Sequence, residues 1–240
     1  MKDSTKKWTA VALVGGWLAV CAAVEINSYF EKIRRGEKKA EHSAYVRDVG
    51  KYVKDVHRGE SYKADSLISI MNNREFIEYF DDAIDALGRA GGRRAYAKLM
   101  ALVDNSSIYS LKGQDAERIA KALNRIAGAR TVKYIVKRLT DKPKPDGFNT
   151  QRLMDVLTYM IFNNAPYHDE ENQIFDIFSR KVLGGFKRCY EVKYASVLRM
   201  IDPKKAELVD DELGNGLWGV YDNNECLKEI KLVLQGKSLH

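Results

Sequence analysis

The sequence predicts an all-α protein: a short stack of helical hairpins, an α-solenoid, preceded by an N-terminal transmembrane or signal helix. Three observations predict it. The stretch "ALGRAGGRRAYAKLMALVDN", Ala86 to Asn105, is echoed 36 residues later by "ALNRIAGARTVKYIVKRLTD", Ala122 to Asp141. Apolar residues recur at three and four along most of the chain, the period of a helix with one buried face. Only four prolines occur in 240 residues, none before Asp141, so long helices are permitted throughout the first half.

Composition sets the outer bounds. Hydrophobic residues make up 45% and charged residues 30%, enough apolar matter for a core and too much for disorder. The net charge is +7, and it is uneven: Glu31 to Lys63 holds ten Lys or Arg against six Asp or Glu. A local surplus beside an apolar run points to a membrane surface, where a uniform basic field would point to nucleic acid. The three cysteines, Cys21, Cys189 and Cys226, form no disulfide framework. Cys189 and Cys226 would pair in an oxidising compartment; in a helical protein of this kind they read as two buried thiols.

The chain divides into three parts. Residues 1–30 read as a membrane anchor or a signal peptide, because Trp8 to Val24 is seventeen residues without a charge. As a helix this run is about 25 Å long, a little short of the roughly 30 Å hydrocarbon core. It exceeds a typical signal-peptide apolar region, and Lys32, Arg34, Arg35, Lys38 and Lys39 follow it. Such a cluster favours retention on the cytoplasmic side, giving a single-pass protein with a cytoplasmic C-terminal domain. Export after cleavage near Cys21, preceded by Lys2, Lys6 and Lys7, is the alternative. The same five cations are the candidate contacts to anionic headgroups.

Residues 31–63 read as a basic amphipathic helical stalk, with Tyr45, Val46, Val49, Tyr52, Val53 and Val56 on one face. Residues 64–240 read as the stack itself. Phe76, Tyr79, Phe80, Ala83, Ile84 and Leu87 form a first helix running to Ala90. Gly91-Gly92 supplies the stop and turn, and Ala95, Leu99, Leu102 and Val103 mark a second helix. The second copy repeats the plan: Ile119, Ala122, Leu123 and Ile126, a turn at Gly128, then Val132, Ile135, Val136 and Leu139. Identities at the 36-residue offset are Ala86/Ala122, Leu87/Leu123, Arg89/Arg125, Gly92/Gly128 and Arg94/Arg130. A fixed period of this size marks a repeat array, in which stacked hairpins bury a shared face. "QRLMDVLTYMIFNN" and "DEENQIFDIFSRKVL" read as another helix pair, "VLRMIDPKKAELV" as a further turn, and Glu225 to Gln235 as a capping helix after the Gly-rich "LGNGLWGVYDNN".

The helix end "ALGRA" or "ALNRI", the small turn and the following Arg resemble the HEAT repeat in its phycobilisome-lyase-like, armadillo-like form. The resemblance covers roughly residues 74–213. These two copies lack the family's Asp-Pro turn, which Asp202-Pro203 does carry, one residue out of register. The resemblance implies an α-solenoid and leaves the activity open. It also implies that the second helix of each hairpin lines a concave surface. Tyr96, Lys98, Lys133, Tyr134 and Lys137 are therefore the expected contacts to a protein partner. Arg94, Arg130 and Lys205 fall at nearly equivalent repeat positions and would align in a basic ridge; such a ridge could serve as an anion or phosphate track, and the resemblance implies instead that it braces one repeat against the next.

Other constellations carry less. His168, Asp169, Glu170 and Glu171 lack metal-ligand spacing and suit a helix N-terminus. "QGKS" at the end lacks the upstream glycine of a phosphate loop. Asp81, Asp82 and Asp85 read as a solvated face, and Trp218 with Tyr221 as an end plug. No catalytic residue, cofactor or metal is assigned. The function expected is a membrane-anchored, non-enzymatic interaction or scaffold module that binds a protein through the concave face. One alternative is a basic nucleic-acid-binding protein or DNA-glycosylase-like enzyme, which would need aromatics and a carboxylate in a basic groove. The other is an exported accessory or chaperone-like factor.

Overall fold

The computed structural model describes residues 39–104, 113–141, 147–185, 191–215 and 225–237. Residues 1–38 lie outside them, and with them the anchor at 8–30 and Lys32, Arg34, Arg35 and Lys38. Lys39 opens the first described helix. Trp218, Tyr221 and Cys189 also lie outside. No helix among the described residues is long and apolar enough to cross a membrane.

The described residues are all helical, without a strand. Ten α-helices follow one another: α1 (Lys39–Lys54), α2 (Ala64–Asn72), α3 (Phe80–Ala90), α4 (Gly92–Asp104), α5 (Gly113–Thr140), α6 (Gly147–Phe162), α7 (Glu171–Gly185), α8 (Glu191–Ile201), α9 (Pro203–Asn215) and α10 (Glu225–Leu234). Short 3-10 turns at Ser61–Lys63, Arg74–Tyr79 and His168–Glu170 lead into α2, α3 and α7.

The repeat offset is visible in the backbone. Gly91, between α3 and α4, has φ 72 and ψ −162, and Gly92 has φ 85, conformations open to glycine and strained for other residues. Thirty-six positions on, Ala127 (φ −161, ψ 57) breaks the helical run within α5. The second copy thus turns at a kink one residue before Gly128. Its extended φ needs no glycine, and the kink divides α5 into two helical halves.

Most helices pack on a chain neighbour, and each also packs on the next helix but one. The pairs α1 with α3, α2 with α4, α3 with α5, α4 with α6, α5 with α7, α6 with α8, α7 with α9 and α8 with α10 all touch. A single core results, running from Val49 in α1 through Leu87, Leu123, Leu157 and Leu198 to Leu234 in α10. Fully burying one such side chain contributes roughly 1.5–3 kcal/mol, so the fold rests on this shared apolar core.

α1 belongs to this core. Val49, Val53 and Val56 are buried, while Tyr45, Val46 and Tyr52 pack against the cluster. Arg89 of α3 holds the end of α1: its Nε donates to the Val56 carbonyl (2.8 Å) and Nη2 to that of Val53 (3.0 Å). These carbonyls lack helical donors, and a guanidinium is the natural cap for them. The amphipathic face read as a stalk is thereby the first layer of the packed helices.

The first helix of copy one starts later than its apolar spacing suggests. Residues 74–79 are 3-10, with Phe76 at φ −108 and ψ 22, and α3 begins at Phe80. Asp202 caps α9, accepting from the Lys204 and Lys205 amides (3.0 and 3.1 Å), with Pro203 at the first helical position.

Two features differ from the sequence reading. Asp81 and Asp85, read as a solvated face, take Arg118 of α5 between them, at 3.6 and 3.0 Å. Their i,i+4 spacing lets both carboxylates reach one guanidinium on the next repeat. Cys226, read as a buried thiol, is disulfide-bonded.

Candidate functional site

The five residues expected to meet a partner lie on α4 and the second half of α5, and the structure divides them. Tyr96, Lys98 and Tyr134 are half-buried and engaged within the molecule. Lys98 Nζ donates to Asn72 Oδ1 of α2 (2.7 Å), and burial pushes its pKa down. Tyr134 donates to Asp104 Oδ2 (2.7 Å); burial first, then this hydrogen bond, pushes the phenol up to about 12. Tyr96 lies under the Arg130 guanidinium, whose Cζ is 5.2 Å from the ring centroid.

Lys133 and Lys137 are exposed, one helical turn apart. With Arg130 they form a cationic row along the second half of α5, and neither lysine has a carboxylate partner among the described residues.

Arg94, Arg130 and Lys205 each reach back to an earlier helix. Arg94 pairs with Asp65 of α2. Arg130 covers Tyr96 of α4. Lys205 donates to Asn172 Oδ1 of α7 (3.2 Å) and sits 5.7 Å from the Phe175 ring centroid. These contacts cross between layers, and the three side chains face three different partners.

A second concentration of positive charge was not singled out from sequence. Arg58, Arg89 and Arg125 line one cavity of about 530 Å³ together with Gly59, Ser61, Gly88, Ala90, Gly91, Gly92 and Ile126. No Asp or Glu lines it. Arg58 and Arg125 are exposed and have no ion-pair partner among the described residues. The acid in the same loop, Glu60, is occupied elsewhere: it accepts from the His57 amide (2.7 Å), the Tyr62 hydroxyl (3.0 Å) and Lys63 Nζ (2.8 Å).

Gly59 (φ 87), Gly91 and Gly92 all have positive φ, and a Cβ at Gly92 would stand 2.8 Å from Ser61 Cβ. The repeat carries a trace of the cavity, since Arg89 and Arg125 are an identical pair at the 36-residue offset. Arg58 comes from outside the repeat, so no spacing in the sequence joins it to them.

His168 is exposed and stands 3.7 Å from Glu171 Oε2 at the start of α7. Among the described residues no group of three or more His, Cys, Asp or Glu could hold a metal ion. Comparison with family models, with curated proteins and with solved structures finds no match.

Proposed function

We propose that the protein is a non-enzymatic interaction module: a short HEAT-like α-solenoid, held at a membrane by residues 8–30, that docks a protein partner on its second-helix face. The observation that carries this reading is the packing of each helix on the next but one, the arrangement a stack of hairpins requires. The partner contact is the row Arg130, Lys133 and Lys137, and its charge selects an acidic segment of the partner. Tyr96 and Tyr134 flank the row as its aromatic floor, and Lys98 extends it toward α2.

The test is a pull-down with the full-length chain and with a Lys133→Glu/Lys137→Glu variant. Both positions are exposed, so the fold tolerates the change. Specific partners should be lost from the variant at unchanged thermal stability. Equal capture by both proteins would overturn the docking face. Salt-steep capture of DNA by the wild-type chain would favour the nucleic-acid reading instead.

A second reading concerns location, and Cys226 favours it. Disulfides persist in oxidising compartments, so this bond supports an exported accessory factor, or an anchor that places the helices outside. The Lys32–Lys39 cluster supports a cytoplasmic helical domain. Carbonate extraction, protease accessibility in spheroplasts and intact mass separate them. Membrane retention with protection fits the cytoplasmic arrangement. A soluble, protease-exposed product shortened by about twenty residues fits cleavage at a signal peptide.

A further inference from the structure

We propose that the cavity between the loop before α2 and the α3–α4 turn is a binding site for a phosphate monoester carried on a small organic body. It is separate from the cationic row on α5 and does not depend on it.

The argument rests on charge that has no internal use. Arg58 and Arg125 line the cavity, no carboxylate lines it with them, and neither has an ion-pair partner among the described residues. Arg89 spends donors on the Val53 and Val56 carbonyls. A guanidinium has five N–H donors, so its remaining ones stay available. Three like charges around one space repel one another, and a folded chain gathers them at a cost that a bound anion relieves. Arg89 is also fixed by its backbone bonds, which pre-organises the centre of the site.

The shape narrows the ligand. About 530 Å³ lies within the roughly 300–1,000 Å³ typical of small-molecule sites and leaves room beyond a single phosphate group. Gly88, Ala90 and Ile126 give the wall an apolar part against which an organic body packs. The fork of an arginine matches the paired oxygens of a phosphate better than it matches a halide or a single hydroxyl. Glycines at 59, 91 and 92 bring main chain to the wall without a Cβ; the Gly59 and Gly91 amides donate to the Arg89 and Leu87 carbonyls (3.0 and 2.9 Å), so the guanidiniums are the donors that hold the oxyanion.

The same phosphate chemistry has two sources, a soluble phosphorylated metabolite or the headgroup of an anionic lipid. The experiment is calorimetric titration of the full-length protein in detergent with inorganic phosphate and with glycerol 3-phosphate. Flotation with phosphatidylcholine vesicles, with and without phosphatidic acid, runs beside it. The variants are Arg58→Gln/Arg125→Gln and, as a control, Lys133→Gln/Lys137→Gln. Both pairs are exposed, and circular dichroism and melting check the fold.

Saturable binding of glycerol 3-phosphate, weakened at least about tenfold by the arginine pair and unchanged by the lysine pair, is the expected result. With vesicles inert, it assigns a soluble ligand. Phosphatidic-acid-dependent flotation abolished by the arginine pair, with no soluble binding, assigns the lipid headgroup. Absence of both, or binding indifferent to Arg58→Gln/Arg125→Gln, overturns the proposal.

Discussion

Gly88 of α3 and Ala122 of α5 meet so closely that a Cβ on Gly88 would fall 2.7 Å from Ala122 Cα and 2.8 Å from its Cβ. The two residues belong to successive copies of the repeat, so this is the seam where copy one rests on copy two. Backbone, rather than the end of a flexible side chain, fills the space. Gly88→Ala therefore forces the helices apart, although alanine is the better helix former by about 1 kcal/mol. A net loss of about 1–3 kcal/mol is expected from denaturant unfolding. Gly184→Ala in α7 is the contrast, with nothing within 4 Å of the new Cβ. It should be neutral or stabilise by up to about 1 kcal/mol. Equal effects at the two sites would remove the seam argument.

How much of this was legible follows from which residues act locally. The Gly91-Gly92 turn and the helices around it came from spacing and turn chemistry, and the 36-residue offset located the break at Ala127 to within one residue. Apolar residues at three and four cannot separate a 3-10 turn from an α-turn over six residues, so Phe76 was placed in a regular helix. The exposed face of Asp81 and Asp85 gave no sign of Arg118, because their pairing depends on the rotation of α3 against α5. The cavity was half legible. Arg89 and Arg125 stood out as repeat identities, but only the fold carries the loop holding Arg58 to them.

The Arg118 pairing is itself measurable. Arg118 Nη1 lies 3.0 Å from Asp85 Oδ2, and both side chains are partly solvated, at 39% and 28% exposure. Pairs of this kind contribute about 0.2–1 kcal/mol. A double-mutant cycle of Arg118→Gln and Asp85→Asn should return a coupling in that range. High salt should shrink it, since solvated charges are screened. A coupling of zero at low salt would leave the Asp81–Asp85 face without a role in joining the repeats.

Glu60 makes stability depend on acid. Its hydrogen bond from Lys63, and then that from the His57 amide, holds the carboxyl down at about 2, against an ordinary value of 4.5. A folded-state pKa below the unfolded one contributes stability that is fully present above 4.5 and lost as pH falls toward 2. Glu60→Gln keeps the side-chain size and removes the charge and its titration. Thermal midpoints of the two proteins should differ by a constant amount above pH 4.5 and converge as pH approaches 2. A constant difference across that window would show that Glu60 is not the titrating group. The variant also loosens the loop of Arg58 and Gly59, so it should weaken anion binding at neutral pH.

The disulfide at Cys226 constrains the last helix. Cys226 is the second residue of α10, which packs on α8. Arg199, near the end of α8, donates to the Leu234 carbonyl at the end of α10 (3.2 Å), so the C-terminal ends of the two helices meet. Cys189 precedes the first residue of α8 by two positions, which makes it the expected partner over Cys21. Non-reducing peptide mapping should therefore recover Cys189 joined to Cys226. Cys226→Ser, or reduction of the wild-type chain, should lower stability by roughly 2–4 kcal/mol, and Cys21→Ser should not. Isolation of the protein from cells with both thiols free would remove the argument for an oxidising compartment and favour the proposed cytoplasmic arrangement. Recovery of the linked peptide would place the helices, and with them the arginine cavity, where phosphorylated ligands arrive from outside the cytoplasm.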